Sequence, residues 1–125
     1  MAVIRSSEYT EFELMGNHML GLATLSRGAK EVAVWRGRTE PGAKTPLHYH
    51  DHEEVIVILS GSGKVKVEED EVAVSSGDVA IVPPHVRHEL SADEGGEGID
   101  AIAVLLAGTK TYLPDGQELD LPWAA

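Results

Sequence analysis

Residues 42–61 read GAKTPLHYHDHEEVIVILSG, and the rest of the chain is organised around them. His48, His50 and Glu54 fall within seven residues. Two imidazoles and a carboxylate at that spacing suit a borderline divalent transition ion. In a strand, residues i and i+2 share a face, so His48 and His50 aim at one point while Tyr49 looks away. Glu54 then arrives from the next strand. The apolar run 55–59 that follows reads as a buried strand able to hold ligands in place, and Gly61 ends it at a turn. Continued alternation would put His52 on the ligand face too, but Asp51-His52 reads more naturally as the turn before Glu54.

The 125 residues are enough for one core and too few for two, so the chain is read as a single domain over 1–125. Ten Lys and Arg stand against 21 Asp and Glu, a formal charge of −11. Such a surface repels a phosphate backbone or an anionic bilayer, so neither nucleic acid nor membrane is an expected partner. No run of 18 apolar residues exists, and Arg5, Glu8, Glu11 and Glu13 interrupt the N-terminus. Cytoplasmic is the default location. The absence of cysteine removes disulfides, thiolate ligands and cysteine nucleophiles together.

Short apolar or alternating runs separated by Gly, Pro and acidic turns predict an all-β fold, a sandwich or barrel. Strands are expected at 9–14, 19–25, 30–40, 54–59, 64–67, 72–74, 79–82, 87–92 and 99–106. Gly16-Asn17 reads as a turn, residues 68–71 as the acidic tip of a hairpin, and residues 60–64, SGSGK, as a hairpin turn, since their spacing is wrong for a phosphate loop. Residues 1–25 form an N-terminal strand region. Residues 108–125, with Pro114 and Pro122, form a tail expected to lie on the surface. Both alternating faces of 54–59 and 99–106 are apolar, so the outer face needs a cover: the N-terminal strands, the tail, or a second subunit. A homodimer is expected on that ground, with the Leu121-Pro122-Trp123 tail finding no room in a closed core.

Five of the six histidines lie between residues 48 and 88. That clustering outweighs the reading of each as an ordinary surface histidine. At this point the chain resembles the small cupins. Their first motif, G(X)5HXH(X)3-4E(X)6G, is met at every position by Gly42, His48, His50, Glu54 and Gly61. Their second, G(X)5PXG(X)2H(X)3N, is met by Gly77, Pro83 and His88, with His85 in place of the second glycine and Ala92 in place of the asparagine. The resemblance implies a double-stranded β-helix, or jelly-roll barrel, with one divalent metal ion (Fe, Mn, Ni, Zn or Cu) on His48, His50, Glu54 and His88. The departure at His85 bears on the turn geometry, and Ala92 touches no ligand.

Three neutral imidazoles and one carboxylate would leave a divalent ion with a net charge of about +1 and Lewis acidity. A small substrate with adjacent oxygens is the matching partner. Two classes stay open. One is a metal-dependent enzyme, with dioxygenase, isomerase, lyase and decarboxylase branches; the other is a noncatalytic binding or sensing module. Arg36 and Arg38 are the candidate counter-charges for such a substrate. They alternate with Trp35, so either the arginines or Trp35 faces the pocket, and a solvated arginine face is the more economical reading. No residue is assigned as a catalytic base.

Overall fold

Gly and Pro interrupt the chain every few residues and no segment carries a helical apolar stripe, so extended pairing is the structure this sequence permits. The computed structural model, which describes residues 1–125, is accordingly all-β. Its strands are β1 (Glu11–Leu14), β2 (Asn17–Ala23), β3 (Val32–Thr39), β4 (Tyr49–His50), β5 (Glu54–Val67), β6 (Asp70–Ser75), β7 (Val79–Val82), β8 (His88–Ala92), β9 (Ile99–Leu106) and β10 (Thr111–Tyr112). Helical structure is confined to three 3-10 turns, Ser6–Glu8, Leu25–Arg27 and Pro122–Ala124.

Two antiparallel layers share β5. Its first half pairs with β7 on one side and β9 on the other, and that layer continues through β3 and β2 to β1. Its second half pairs with β6 and β8. The chain leading into β4 runs antiparallel beside β8, bridged at Lys44 to Ser91 and at His48 to His88, and β10 pairs with β4 beyond it. The result is the expected double-sheet jelly roll.

The passage of β5 between the layers corrects one expectation. Residues 60–64 are not a hairpin turn; β5 runs unbroken from Glu54 to Val67, with a bulge between Ile58 and Ser60. The glycines are there for close approach. A Cβ on Gly61 would lie 1.7 Å from the Gly98 carbonyl oxygen, and one on Gly63 would lie 1.9 Å from that of Ser91. Strand β5 changes layers only where neighbouring backbones can reach it, and a side chain at either position would block them. The hairpin that follows turns at Glu68-Glu69, and Asp70 and Glu71 already belong to β6. Likewise Met15 and Gly16, both at positive φ, make the first turn. Asn17 instead opens β2, buried, with its Nδ2 donating to the carbonyls of Leu14 and Lys44.

The core between the layers has two parts. Ile56, Ile58, Val65, Val74, Val82, Ala92, Ile99 and Ala101 fill one end. Met19, Trp35, Ala103, Leu105 and Trp123 form the other. Trp123 overturns the reading of residues 108–125 as a surface tail: it is 8 % exposed, and the last 3-10 turn packs against β1, β2 and β3. The tail therefore does not cover the outer face of the β9-β5-β7 layer. The N-terminal strands do not cover it either, because they extend the same layer beyond β3. Val79, Ile81 and Leu106 on that face are exposed.

Candidate metal centre

Three separate pieces of chain bring the site together. His48 immediately precedes β4 and His50 ends it, Glu54 is the first residue of β5, and His88 is the first of β8. Backbone bonds between His48 and His88 run in both directions, at 2.8 and 3.1 Å, and fix the two side chains next to each other. The His48 and His88 ring centroids are 4.2 Å apart, those of His48 and His50 4.9 Å, and those of His50 and His88 5.3 Å. One ligand atom from each of His48, His50, Glu54 and His88 lies within 4.8 Å of the others, which makes this a group able to hold a metal ion. His50, Glu54 and His88 are at most 5 % exposed.

Each imidazole is anchored through Nδ1, leaving Nε2 for the centre of the cluster. His48 Nδ1 donates to the Pro46 carbonyl at 2.6 Å and His88 Nδ1 to the Val86 carbonyl at 2.9 Å. His50 Nδ1 meets Thr111 Oγ1 at 2.8 Å. Outer partners of this kind fix the tautomer and ring orientation of metal-binding histidines. On the inner side, His88 Nε2 donates to Glu54 Oε1 at 2.9 Å. His50 Nε2 lies 3.4 Å from the same oxygen but makes no hydrogen bond and is fully buried. A buried nitrogen with no partner is costly, and a metal ion is the partner this donor set fits.

Burial by itself raises the pKa of Glu54, but the imidazoles of His50 and His88 beside it outweigh burial and hold the carboxyl well below the usual carboxylate range. His88 shows the converse: burial depresses it, and the hydrogen bond to Glu54 more than restores it, so its pKa is raised. For His48, burial and then the charges of His88 and His50 depress the pKa to about 4. At neutral pH His48 is therefore an uncharged ring with a free lone pair, the form a metal needs.

The remaining candidates fall outside the cluster. His52 is exposed and bonded to Asp51 at 2.9 Å, in the turn that the sequence suggested. His85 is also exposed, with a left-handed φ of 66°. It thus adopts the backbone that the second motif's glycine would supply, and its N–H donates to the His50 carbonyl at 2.8 Å. The turn survives the replacement, and His85 positions His50 through its backbone. Between Trp35 and the arginines the structure decides for Trp35, which is buried with its ring centroid 6.5 Å from that of His50. Arg36 pairs with Asp100 and Arg38 with Glu11, both on the outer face.

A cavity of about 90 Å3 is lined by the four clustered residues. Trp35, Met19, Leu121 and Trp123 are among its walls. Sequence reasoning missed Thr111, Leu121 and Trp123 because two prolines made that segment look detached. It also missed Pro46 and Val86, whose contribution is a backbone carbonyl and carries no side-chain signature.

The fold matches known proteins. The chain superimposes on the polyketide cyclase RemF of Streptomyces resistomycificus with a TM-score of 0.78 at 17 % identity, over 99 % of this chain and 89 % of that one. A cupin-2 domain protein of Rhodospirillum rubrum gives 0.71 at 22 % identity, over 91 % and 73 %. The oxalate decarboxylase of Bacillus subtilis gives 0.72 at 25 % identity; the match covers 82 % of this chain but only 28 % of that much longer one. No curated protein matches the chain by sequence. The sequence model of the cupin domain does match, over residues 35–105, which contain all four clustered residues. With more than half its length under that model, the chain belongs to the cupin family.

Proposed function

We propose that His48, His50, Glu54 and His88 hold one divalent transition metal ion and that the chain is a metal-dependent enzyme acting on a small oxygen-bearing, chelating substrate. The observation that carries the reading is the convergence of three Nδ1-anchored imidazoles and one carboxylate on a buried point where His50 Nε2 has no partner. Bound there, the ion would supply Lewis acidity toward adjacent oxygens and, if redox-active, a route to dioxygen chemistry. The protein's own part is to keep His48 neutral, to place the Glu54 charge against the imidazoles, and to exclude bulk water with the walls around Trp35 and Trp123. Glu89 is the one lining carboxylate outside the cluster and no serine lines the cavity, so the reaction class follows the ion.

Oxygen-dependent turnover, as in a dioxygenase, is one branch; oxygen-independent isomerase, lyase or decarboxylase chemistry is the other. The names polyketide cyclase and oxalate decarboxylase among the structural matches belong, for those proteins, with the second branch. The experiment strips the metal with a chelator, restores Fe, Mn, Ni, Zn or Cu singly, and follows metal content and turnover under air and under nitrogen. One ion per chain, with turnover returning only on loading, supports the proposal. Turnover in verified metal-free protein refutes it, and tight substrate binding with no turnover under any ion selects the noncatalytic binding or sensing reading.

A further inference from the structure

The walls of the cavity carry information about the ligand that the metal-binding residues do not. No lysine or arginine lines it, and its charged side chains are Glu54 and Glu89. The cations that a multiply charged substrate would need are engaged elsewhere. Arg36 is held by Asp100 and Arg38 by Glu11 on the outer face, and Arg87 donates to the Pro114 carbonyl and stacks over Tyr49. In a chain of formal charge −11, an acid-lined apolar cavity disfavours any anionic group beyond the one the ion itself neutralises.

Two indoles are among the walls. Trp35, on β3, and Trp123, in the last 3-10 turn, are both buried in the same cluster with Met19. Trp123 is an unusual core residue. Its Nε1 is fully buried without an acceptor, whereas a buried indole N–H ordinarily finds one. Its backbone carbonyl stands so close to β2 that a Cβ on Gly21 would lie 2.4 Å from it, so the turn is seated by close backbone approach. Leu119 and Leu121 of the same segment reach the cavity too.

We infer that the ligand is a chelating molecule with a flat apolar body and no second anionic group, and that Trp123 supplies one wall of its binding site. The inference rests on the metal reading above and deepens it. A flat ring entering the cavity would bury apolar surface against the lining indoles Trp35 and Trp123, where aromatic contacts gain beyond simple area burial. Trp123 is thus a specificity-determining residue, delivered by a segment outside the two motifs that mark the metal site.

Hydroxamates that share one chelating head test this directly. Protein loaded with Co(II) is titrated with acetohydroxamate, benzohydroxamate and 4-carboxybenzohydroxamate, and binding is read from the visible Co(II) spectrum. Benzohydroxamate is expected to bind about tenfold or more tighter than acetohydroxamate, and about tenfold or more tighter than its 4-carboxy analogue. Trp123→Ala should shrink the preference for benzohydroxamate over acetohydroxamate, read as the ratio of the two affinities in each protein, to about threefold or less, and Trp123→Phe, which keeps a flat wall, should retain the preference. Equal binding of the three probes, or an equal loss in both variants, overturns the inference while leaving the metal reading standing. Failure of the unaltered protein to take up Co(II) overturns both. If Trp123→Ala does not fold, Trp123→Leu replaces it with the same expected loss of preference.

Discussion

Replacing Glu54 by Gln separates the role of the carboxylate in the metal site from its role in the fold. The substitution keeps shape and one acceptor oxygen but removes the charge that faces His88 at 2.9 Å and His50 at 3.4 Å. In metal-free protein the charged contact to His88 is worth about 6 kcal/mol of Coulomb energy at an effective dielectric of about 20. Desolvating both groups costs several kcal/mol. The net loss is therefore about 1–3 kcal/mol, and less where the Gln oxygen accepts the same hydrogen bond. The loaded protein is more sensitive. Without the carboxylate the buried centre carries about +2 instead of about +1, and an extra uncompensated buried charge costs at least about 3 kcal/mol, or about a hundredfold in affinity. Competition with a chromogenic chelator measures metal affinity, and urea denaturation of the metal-free form measures stability. A variant that binds metal within about threefold of the unaltered protein would falsify the assignment of Glu54 as a ligand.

Four further outcomes are expected. His88→Ala loses metal stoichiometry while His52→Ala and His85→Ala keep one ion per chain; the reverse pattern by metal analysis would mean a different ligand set. Gly63→Ala must push Ser91 away from β5, so the metal-free protein should lose about 2–4 kcal/mol in urea denaturation, and an unchanged midpoint would show that β8 yields freely. His48, at about 4 when folded against 6.5 as its ordinary value, binds fewer protons in the native state, so metal-free stability falls as pH drops from 6.5 to 4. The loss reaches at most about 3 kcal/mol, His48→Gln should remove that part of the pH dependence, and an identical pH profile in the variant would discount the depressed imidazole. Finally, Val34, Val104, Val55 and Ile81 form one uncharged row across β3, β9, β5 and β7, and Ile102, Val57 and Val79 continue the next, which starts on β3 at Arg36, itself paired with Asp100. In a chain of −11 this is the face where a second copy meets least repulsion, so sedimentation at micromolar concentration should give a dimer and Ile81→Lys a monomer with unchanged metal content. A monomeric unaltered protein would remove that proposal.

The sequence by itself determined the fold class and singled out His48, His50 and Glu54, while His88 joined them only through the resemblance to the cupin motifs. The fold class and that trio depend on short-range pattern: turn residues at regular spacing, period-two alternation, and a His-x-His pair whose geometry is set by the pleat of one strand. The strand 99–106 and the strand 79–82 were legible to the residue because alternation and punctuation agreed there. The rest needed tertiary structure. Alternation gives two faces but not which one is inside, so the choice between Trp35 and the arginines waited on the pairing of β3 with β9 and the ion pair of Arg36 with Asp100. Gly61 and Gly63 look like turn residues in sequence, and only the proximity of Gly98 and Ser91 shows that they let one strand serve two layers. Trp123 and Thr111 lie far along the chain from the residues they meet. Their place beside Trp35 and His50 is a long-range contact, and no local propensity encodes it.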